Sequence, residues 1–206
     1  MLFGLIGSSG VGKTTLATKI SENLGIEYVS ASITQSARRH GFNSVGVLTL
    51  RERLDLQWHL LRDHVELINQ TARPLIVDRT PVDMIGYLMA EFDMHSHMLT
   101  EPEDLIEADR YVTECLAVTL KHYDMVFTLG QLDKYEEVPT RPVDNRAYQT
   151  HSQLIMEGAL SRLYGQINFA RIGSTDLQQR LDAVEGMIVA RMDEIETERK
   201  SSPFMH

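Results

Sequence analysis

Gly7, Gly12, Lys13 and Thr14 stand at the spacing G-x-x-x-x-G-K-[ST] within Gly7-Ser8-Ser9-Gly10-Val11-Gly12-Lys13-Thr14. Such a spacing can wrap an anion. Glycines let successive backbone N–H groups converge on one centre without a Cβ in the way, and the helix that follows adds its partly positive N-terminus. Lys13 is placed to reach the β- and γ-phosphates of a nucleoside triphosphate, and Thr14 to ligate the Mg²⁺ that bridges them. Thr15 is placed toward the α-phosphate, with Ser9, Gly10 and Val11 in the cradle. The apolar run Leu2-Phe3-Gly4-Leu5-Ile6 before it and the helical pattern Leu16 to Ile20 after it supply the strand, loop and helix context that the spacing requires.

A second constellation ends the apolar run Leu75-Ile76-Val77, where Asp78-Arg79-Thr80-Pro81 follow. An acid at a strand tip beside a phosphate loop can orient a metal-bound water or take an acceptor hydroxyl's proton. Its structural alternative is to cap the helix opened by Thr80-Pro81. Arg79 can clamp an anionic oxygen in a fork. Asp83 and Tyr87, one turn apart on that helix, either contact the acceptor, support the site from behind, or simply pack. Arg38 and Arg39, beyond Ser30-Ala31-Ser32-Ile33-Thr34, either hold an acceptor's phosphate or sugar, or lie on a solvated helix. His95 and His97 alternate but lack a third ligand, so the stretch from Asp93 reads as a surface loop.

The elements that must position these groups follow from periodicity. Helical spacing from Lys13 to Asn23, closed by Gly25, leads into a strand at Ile26-Glu27-Tyr28-Val29, which makes a βαβ unit and a parallel sheet. Leu50, Leu54, Trp58, Leu61, Val65 and Ile68 mark a long amphipathic helix from Thr49 to Thr71, with Trp58 in the core and His59 and His64 on the surface. Pro102 opens a helix with Leu105, Ala108, Val112, Cys115 and Thr119 inward, and Asp124 to Gly130 forms a fourth strand.

Residues 131–146 lack periodicity and carry Lys134, Arg141, Arg146 and two prolines. They read either as a lid that brings positive charge to the transferring group or as a surface excursion. Arg146, beside the start of a helix over 147–165, is the lid arginine assigned to the chemistry, with Arg162 further along as a lesser candidate. A fifth strand spans 166–172. Gly173 and Ser174 then let backbone approach a base before a last helix, capped by Thr175 and Gln178, with Leu177, Leu181, Val184, Ile188 and Ile195 inward.

The chain has 206 residues, 43% hydrophobic, with no repeat or linker, which suits one α/β domain over 1–200 and a frayed tail at 201–206. Its 20 basic and 29 acidic residues leave a net charge of −9, which does not attract polyanions as a whole. The lone Cys115 excludes a disulfide framework and reads as a buried hydrophobe. No apolar run is long enough to span a bilayer, and the chain opens directly on a strand, so a cytoplasmic setting without membrane contact is expected.

The phosphate loop, the Asp78-Arg79-Thr80-Pro81 strand end with Asp83 and Tyr87, the arginine-bearing lid and Gly173-Ser174 together resemble the small P-loop kinases. More narrowly, they resemble nucleoside and nucleoside-monophosphate kinase-like proteins, including phage-encoded members and relatives of ribosylnicotinamide kinase. That resemblance implies a three-layer P-loop NTPase fold with a five-stranded parallel sheet and a lid, ATP and Mg²⁺ as cofactors, and a nucleoside or nucleotide acceptor. Asp78 would be the catalytic acid or base and a metal contact, Arg79 an anion clamp, and Arg38, Arg39, Asp83, Tyr87 and Arg141 acceptor contacts. The chain departs from thymidylate kinases in its longer middle insertion, and from deoxynucleoside kinases in lacking their Glu-Arg-Ser strand end. Similar phage kinases phosphorylate the hydroxymethyl group of 5-hydroxymethyluracil in DNA, a role open to this chain through a local channel at Arg38, Arg39 and the lid. A monomer and a homodimer both fit. The absence of an Asn-Lys-x-Asp signature disfavours a GTPase, and that of an adjacent Asp-Glu pair after the third strand disfavours a motor ATPase.

Overall fold

Every residue of strand β1 (Leu2–Ile6) is buried, which a strand achieves only with neighbours on both edges and cover on both faces. Strands β3 (Leu75–Val77) and β4 (Met125–Leu129) supply the edges, and both run parallel to it. β2 (Glu27–Val29) extends the sheet beyond β3, and β5 (Asn168–Ile172) beyond β4. The order is β2-β3-β1-β4-β5, all parallel. The computed structural model describes residues 1–43, 48–94, 101–132 and 146–201. The lid segment from 133 to 145 with Lys134 and Arg141, the histidines His95 and His97, and the tail from 202 lie outside the described residues.

Seven helices complete the described chain: α1 (Lys13–Leu24), α2 (Ile33–Arg39), α3 (Leu50–Gln70), α4 (Pro81–Met94), α5 (Pro102–His122), α6 (Arg146–Ser161) and α7 (Leu177–Ser201). Side chains alternate across a strand, so each strand feeds two cores. Leu2, Ile6, Leu75, Val77 and Val126 pack among α3, α4, α5 and α6, while Phe3, Leu5, Ile76, Phe127 and Leu129 pack against α1 and α7. Three layers result, as expected. α4 and α6 approach closely where Gly86 has no side chain, since a Cβ there would stand 2.4 Å from Met156 Cγ and 3.0 Å from the Ser152 carbonyl.

Several expectations change in the folded chain. Of the two readings open for the segment after β2, the helix holds: α2 forms because the Ser32 hydroxyl accepts from the Gln35 N–H and Ala37 packs against Leu56 and Leu60. α6 stops at Ser161 rather than 165. Asp176, not Thr175, caps α7, its carboxylate accepting from the Gln179 N–H at 2.9 Å. On α5 the inward face turns toward Tyr111, which is buried, and Leu105 is left 49% exposed. Cys115 is buried as expected, and Trp58 packs edge-on against Tyr111.

His64 is the clearest correction, since it is 1% exposed rather than on the surface. Its Nε2 shares a 2.8 Å hydrogen bond with the Tyr123 hydroxyl. Burial, aided by nearby His122, pushes its pKa down to about 4. The folded chain therefore holds it neutral where an unfolded chain, near 6.5, would bind a proton. Stability is full above about pH 6.5 and falls as pH drops toward 4, by about 3 kcal/mol for this group. Urea unfolding at pH 7.5 and pH 5 should show about 2 kcal/mol of this loss in the native chain, and a His64→Asn variant should lose less. Gly86→Ala should cost about 1 to 3 kcal/mol by the same measurement, because the α4 and α6 backbones must part.

Candidate functional site

The turn after β1 can follow its path only because Gly10 and Gly12 adopt φ of 84° and 87°, a left-handed conformation that a Cβ would strain. Gly12 also caps α1 with no side-chain hydrogen bond, which leaves the first amides of that helix open to an incoming acceptor. The loop is held from behind by three side chains. Gly7 N–H donates to Asp83 Oδ1 at 3.0 Å, Ser8 N–H donates to Gln153 Oε1 at 2.9 Å, and the Val11 carbonyl accepts from Arg180 Nη1 at 2.6 Å. The Lys13 ammonium donates to the Gly7 carbonyl and, at 3.1 Å, to the Ser8 carbonyl. Ser9 and Thr15 are exposed at the two ends of the turn, whereas Val11 is buried beneath it.

Asp78 stands at the tip of β3 with its carboxylate against this loop. Its Oδ2 accepts from Thr14 Oγ1 at 2.6 Å and from the Tyr28 hydroxyl at 2.8 Å, while Oδ1 is buried without a partner. Burial and then the bond to Asp78 push the Tyr28 phenol up to about 12, so at neutral pH it remains a donor. Thr14 and Asp78 thus offer oxygen donors of the kind magnesium takes, and the orphaned Oδ1 is an acceptor that a metal-bound water would satisfy. Among the described residues no cluster of three or more His, Cys, Asp or Glu could hold a metal by itself. A cation here would draw its other ligands from water and phosphate, as magnesium at nucleotide sites does.

Beside Asp78, Arg79 lines a cleft of about 270 Å³ between α2, α3 and the ends of β2 and β3. The cleft mixes hydroxyls and charges, including Ser30, Ser36, Arg39, Asp63 and Glu66, with apolar walls at Leu60 and Met84. The Arg79 guanidinium also lies 6.0 Å from the ring centre of Tyr87, so Tyr87 supports Arg79. Arg39 reaches the cleft but its Nη1 is 3.4 Å from Asp63 Oδ2, and the same carboxylate accepts from Ser36 and meets His40 Nε2 at 3.1 Å. Arg38 is exposed and is not among the lining residues.

Asp83 does not reach an acceptor. It is fully buried beneath the loop, where it accepts from the Thr80 N–H and hydroxyl at 2.8 and 2.7 Å and lies 3.7 Å from the Lys13 ammonium. Burial pushes its carboxyl above the usual range, against the pull of Lys13 and of the bonds from Thr80 and Gly7. The helix cap is made by Thr80 and Asp83 rather than Asp78, since the Asp83 N–H also donates to the Thr80 hydroxyl at 3.3 Å. Gly173 and Ser174 lie on the turn from β5 to α7, beside Gly130 at the end of β4. Arg146 opens α6 and is exposed, and Arg162 lines a separate groove among α4, α5 and α6 rather than this site.

Four residues of this region were not singled out from sequence: Tyr28, Asp63, Gln153 and Arg180. Arg180 carried a usable signal. It falls one turn before the buried Val184, so helical geometry turns it inward with that stripe. The others show no signal, because their partners lie 27 to 145 residues away along the chain.

The comparisons with known proteins agree with this architecture. The deoxyadenosine kinase of M. mycoides with bound dCTP superposes with a TM-score of 0.65 at 15% identity, over 92% of this chain and 100% of that one. The same enzyme with the products dCMP and a flexible dCDP bound gives 0.66 at 14% identity, again over 92% and 100%. NadR in complex with NAD and AMP-PNP gives 0.60 at 11% identity, over 90% of this chain and 48% of that one. At these identities the likeness is one of fold. No curated protein matches the sequence. Among the described residues no helix is long and apolar enough to cross a membrane. The AAA domain profile matches residues 2–180, with the phosphate loop, the β3 tip and the turn into α7 all inside it, and the chain belongs to that AAA domain family.

Proposed function

We propose that the protein is a kinase that transfers the γ-phosphoryl group of ATP, taken with Mg²⁺, to a hydroxyl of a free nucleoside or nucleotide. One observation carries this reading: the Asp78 carboxylate joins the two halves of the site. It is bonded to Thr14 of the phosphate loop on one side, and its neighbour Arg79 lines the polar cleft on the other. An acceptor lodged in that cleft meets a phosphoryl donor at the boundary between them.

The loop amides and the α1 N-terminus bind the phosphate tail, and Lys13 exchanges its two carbonyl partners for phosphate oxygens. Thr14 and Asp78 would hold the magnesium ion, which when bound neutralises charge on the β- and γ-phosphates. Tyr28, kept protonated by burial, donates to Asp78 Oδ2 and leaves Oδ1 to orient the acceptor hydroxyl or a metal-bound water. Arg79, steadied over Tyr87, stabilises the anionic oxygens that move toward the acceptor. Arg146, at the start of α6, adds positive charge toward the transferring group, and Gly173 with Ser174 borders the base of the donor. The deoxyadenosine kinase and NadR, whose folds match, carry nucleotides in their own structures, which supports the reading.

Label from γ-³²P-ATP should appear on free nucleosides or nucleotides in the presence of magnesium. Lys13→Ala and Asp78→Asn should each lower that transfer about a hundredfold or more without unfolding the chain. Label found only as inorganic phosphate would overturn the kinase reading. Label found only on DNA bearing 5-hydroxymethyluracil would replace the free acceptor with the DNA-modification role.

A further inference from the structure

We propose that Arg180 is a positioning residue for the nucleotide, fixing the phosphate loop and coupling it to the turn before α7. The inference rests on the reading of that loop as a triphosphate site, and it concerns binding rather than transfer.

Arg180 is 2% exposed and donates to three backbone carbonyls from three separate segments. Nη1 donates to Val11 at 2.6 Å, Nη2 to Gly130 at 2.8 Å, and Nε to Ser174 at 2.6 Å. Among the described residues no carboxylate pairs with it, so its charge meets only carbonyl dipoles. A planar fork suits such a task, because its donors are fixed relative to one another and cannot follow one segment without the others.

The consequence for the loop follows from peptide geometry. In a trans peptide the C=O and N–H point in opposite directions. Drawing the Val11 carbonyl toward α7 therefore turns the Gly12 N–H to the other side, into the concavity that α1 opens upon. The guanidinium is also close enough to the loop that a Cβ on Gly12 would stand 3.7 Å from Nη1. Positive charge that no described carboxylate pairs is thus set behind the cradle, where it attracts a polyanion. The same fork holds Ser174, so an ordered phosphate loop and an ordered β5-to-α7 turn become one rigid unit.

Calorimetric titration of the full chain with Mg·ATP and with Mg·tripolyphosphate tests this, in the native protein and in Arg180→Lys. Lysine keeps the charge but not the fork. The dissociation constant should rise about tenfold for both probes, the effect of losing hydrogen bonds from a charged group. Equal affinities in the two proteins, or a loss confined to ATP, would overturn the proposal. A merely structural arginine would lower the melting temperature of the free chain while leaving the probe-induced rise unchanged, which would overturn it too. In the native chain, which needs no variant, tripolyphosphate should slow amide exchange at residues 173–176 as well as 7–13, and no change at 173–176 counts against the coupling. Native protein that binds both probes but labels no acceptor would sink the kinase reading alone. Native protein that binds neither sinks both.

Discussion

A loop that must present its N–H groups to a ligand cannot spend them on its own secondary structure, and something else must hold it in place. Here that work falls to polar side chains behind the turn. Asp83 takes the Gly7 N–H, Gln153 the Ser8 N–H, and Arg180 the Val11 carbonyl. They arrive from α4, α6 and α7, so helices on both faces of the sheet meet at one turn. Each is a buried polar group whose burial is tolerable only with its partner in place. The loop and its supports are therefore mutually dependent.

The sheet order explains how such distant residues converge. With β1 central and β3 and β4 at its sides, the carboxyl ends of all three strands open at one edge. Residues that follow these strands, such as Asp78 after β3 and Gly130 after β4, share a crevice with the phosphate loop after β1. The outer strands do the same for Ser30 after β2 and Ser174 after β5. Gly4 in the middle of β1 serves this arrangement from within, since a Cβ there would stand 2.7 Å from both Thr80 Cγ2 and Tyr123 Cε1.

The cleft is built differently from the phosphate loop. The loop is a backbone cradle, whereas the cleft is walled by side chains of α2 and α3 whose charges are already partly committed. Asp63 gathers Ser36, Arg39 and His40, and His40 stacks on His59 at 4.0 Å between ring centres. This cluster fastens α2 to α3, so the width of the cleft depends on how these two helices pack as much as on Arg39 itself.

Much of this protein was legible before folding was considered. The phosphate loop is a local object whose function depends on residue types at fixed spacing, and the acid at the tip of β3 is found by where an apolar run ends. Element identity was legible too, because period-two and helical patterns are short-range. The folded chain alone decided which polar residues are buried and against what. His64 went to the core because Tyr123, 59 residues later, offers it a partner. Asp83 went beneath the loop rather than toward an acceptor because Gly7 and Lys13 meet it there. The supports at Gln153 and Arg180 are pairings 145 and 169 residues apart. The inward face of Arg180 could be read from its place one turn before Val184, but its partner could not, because a hydrogen bond across such a separation to a loop backbone group leaves no mark in local sequence.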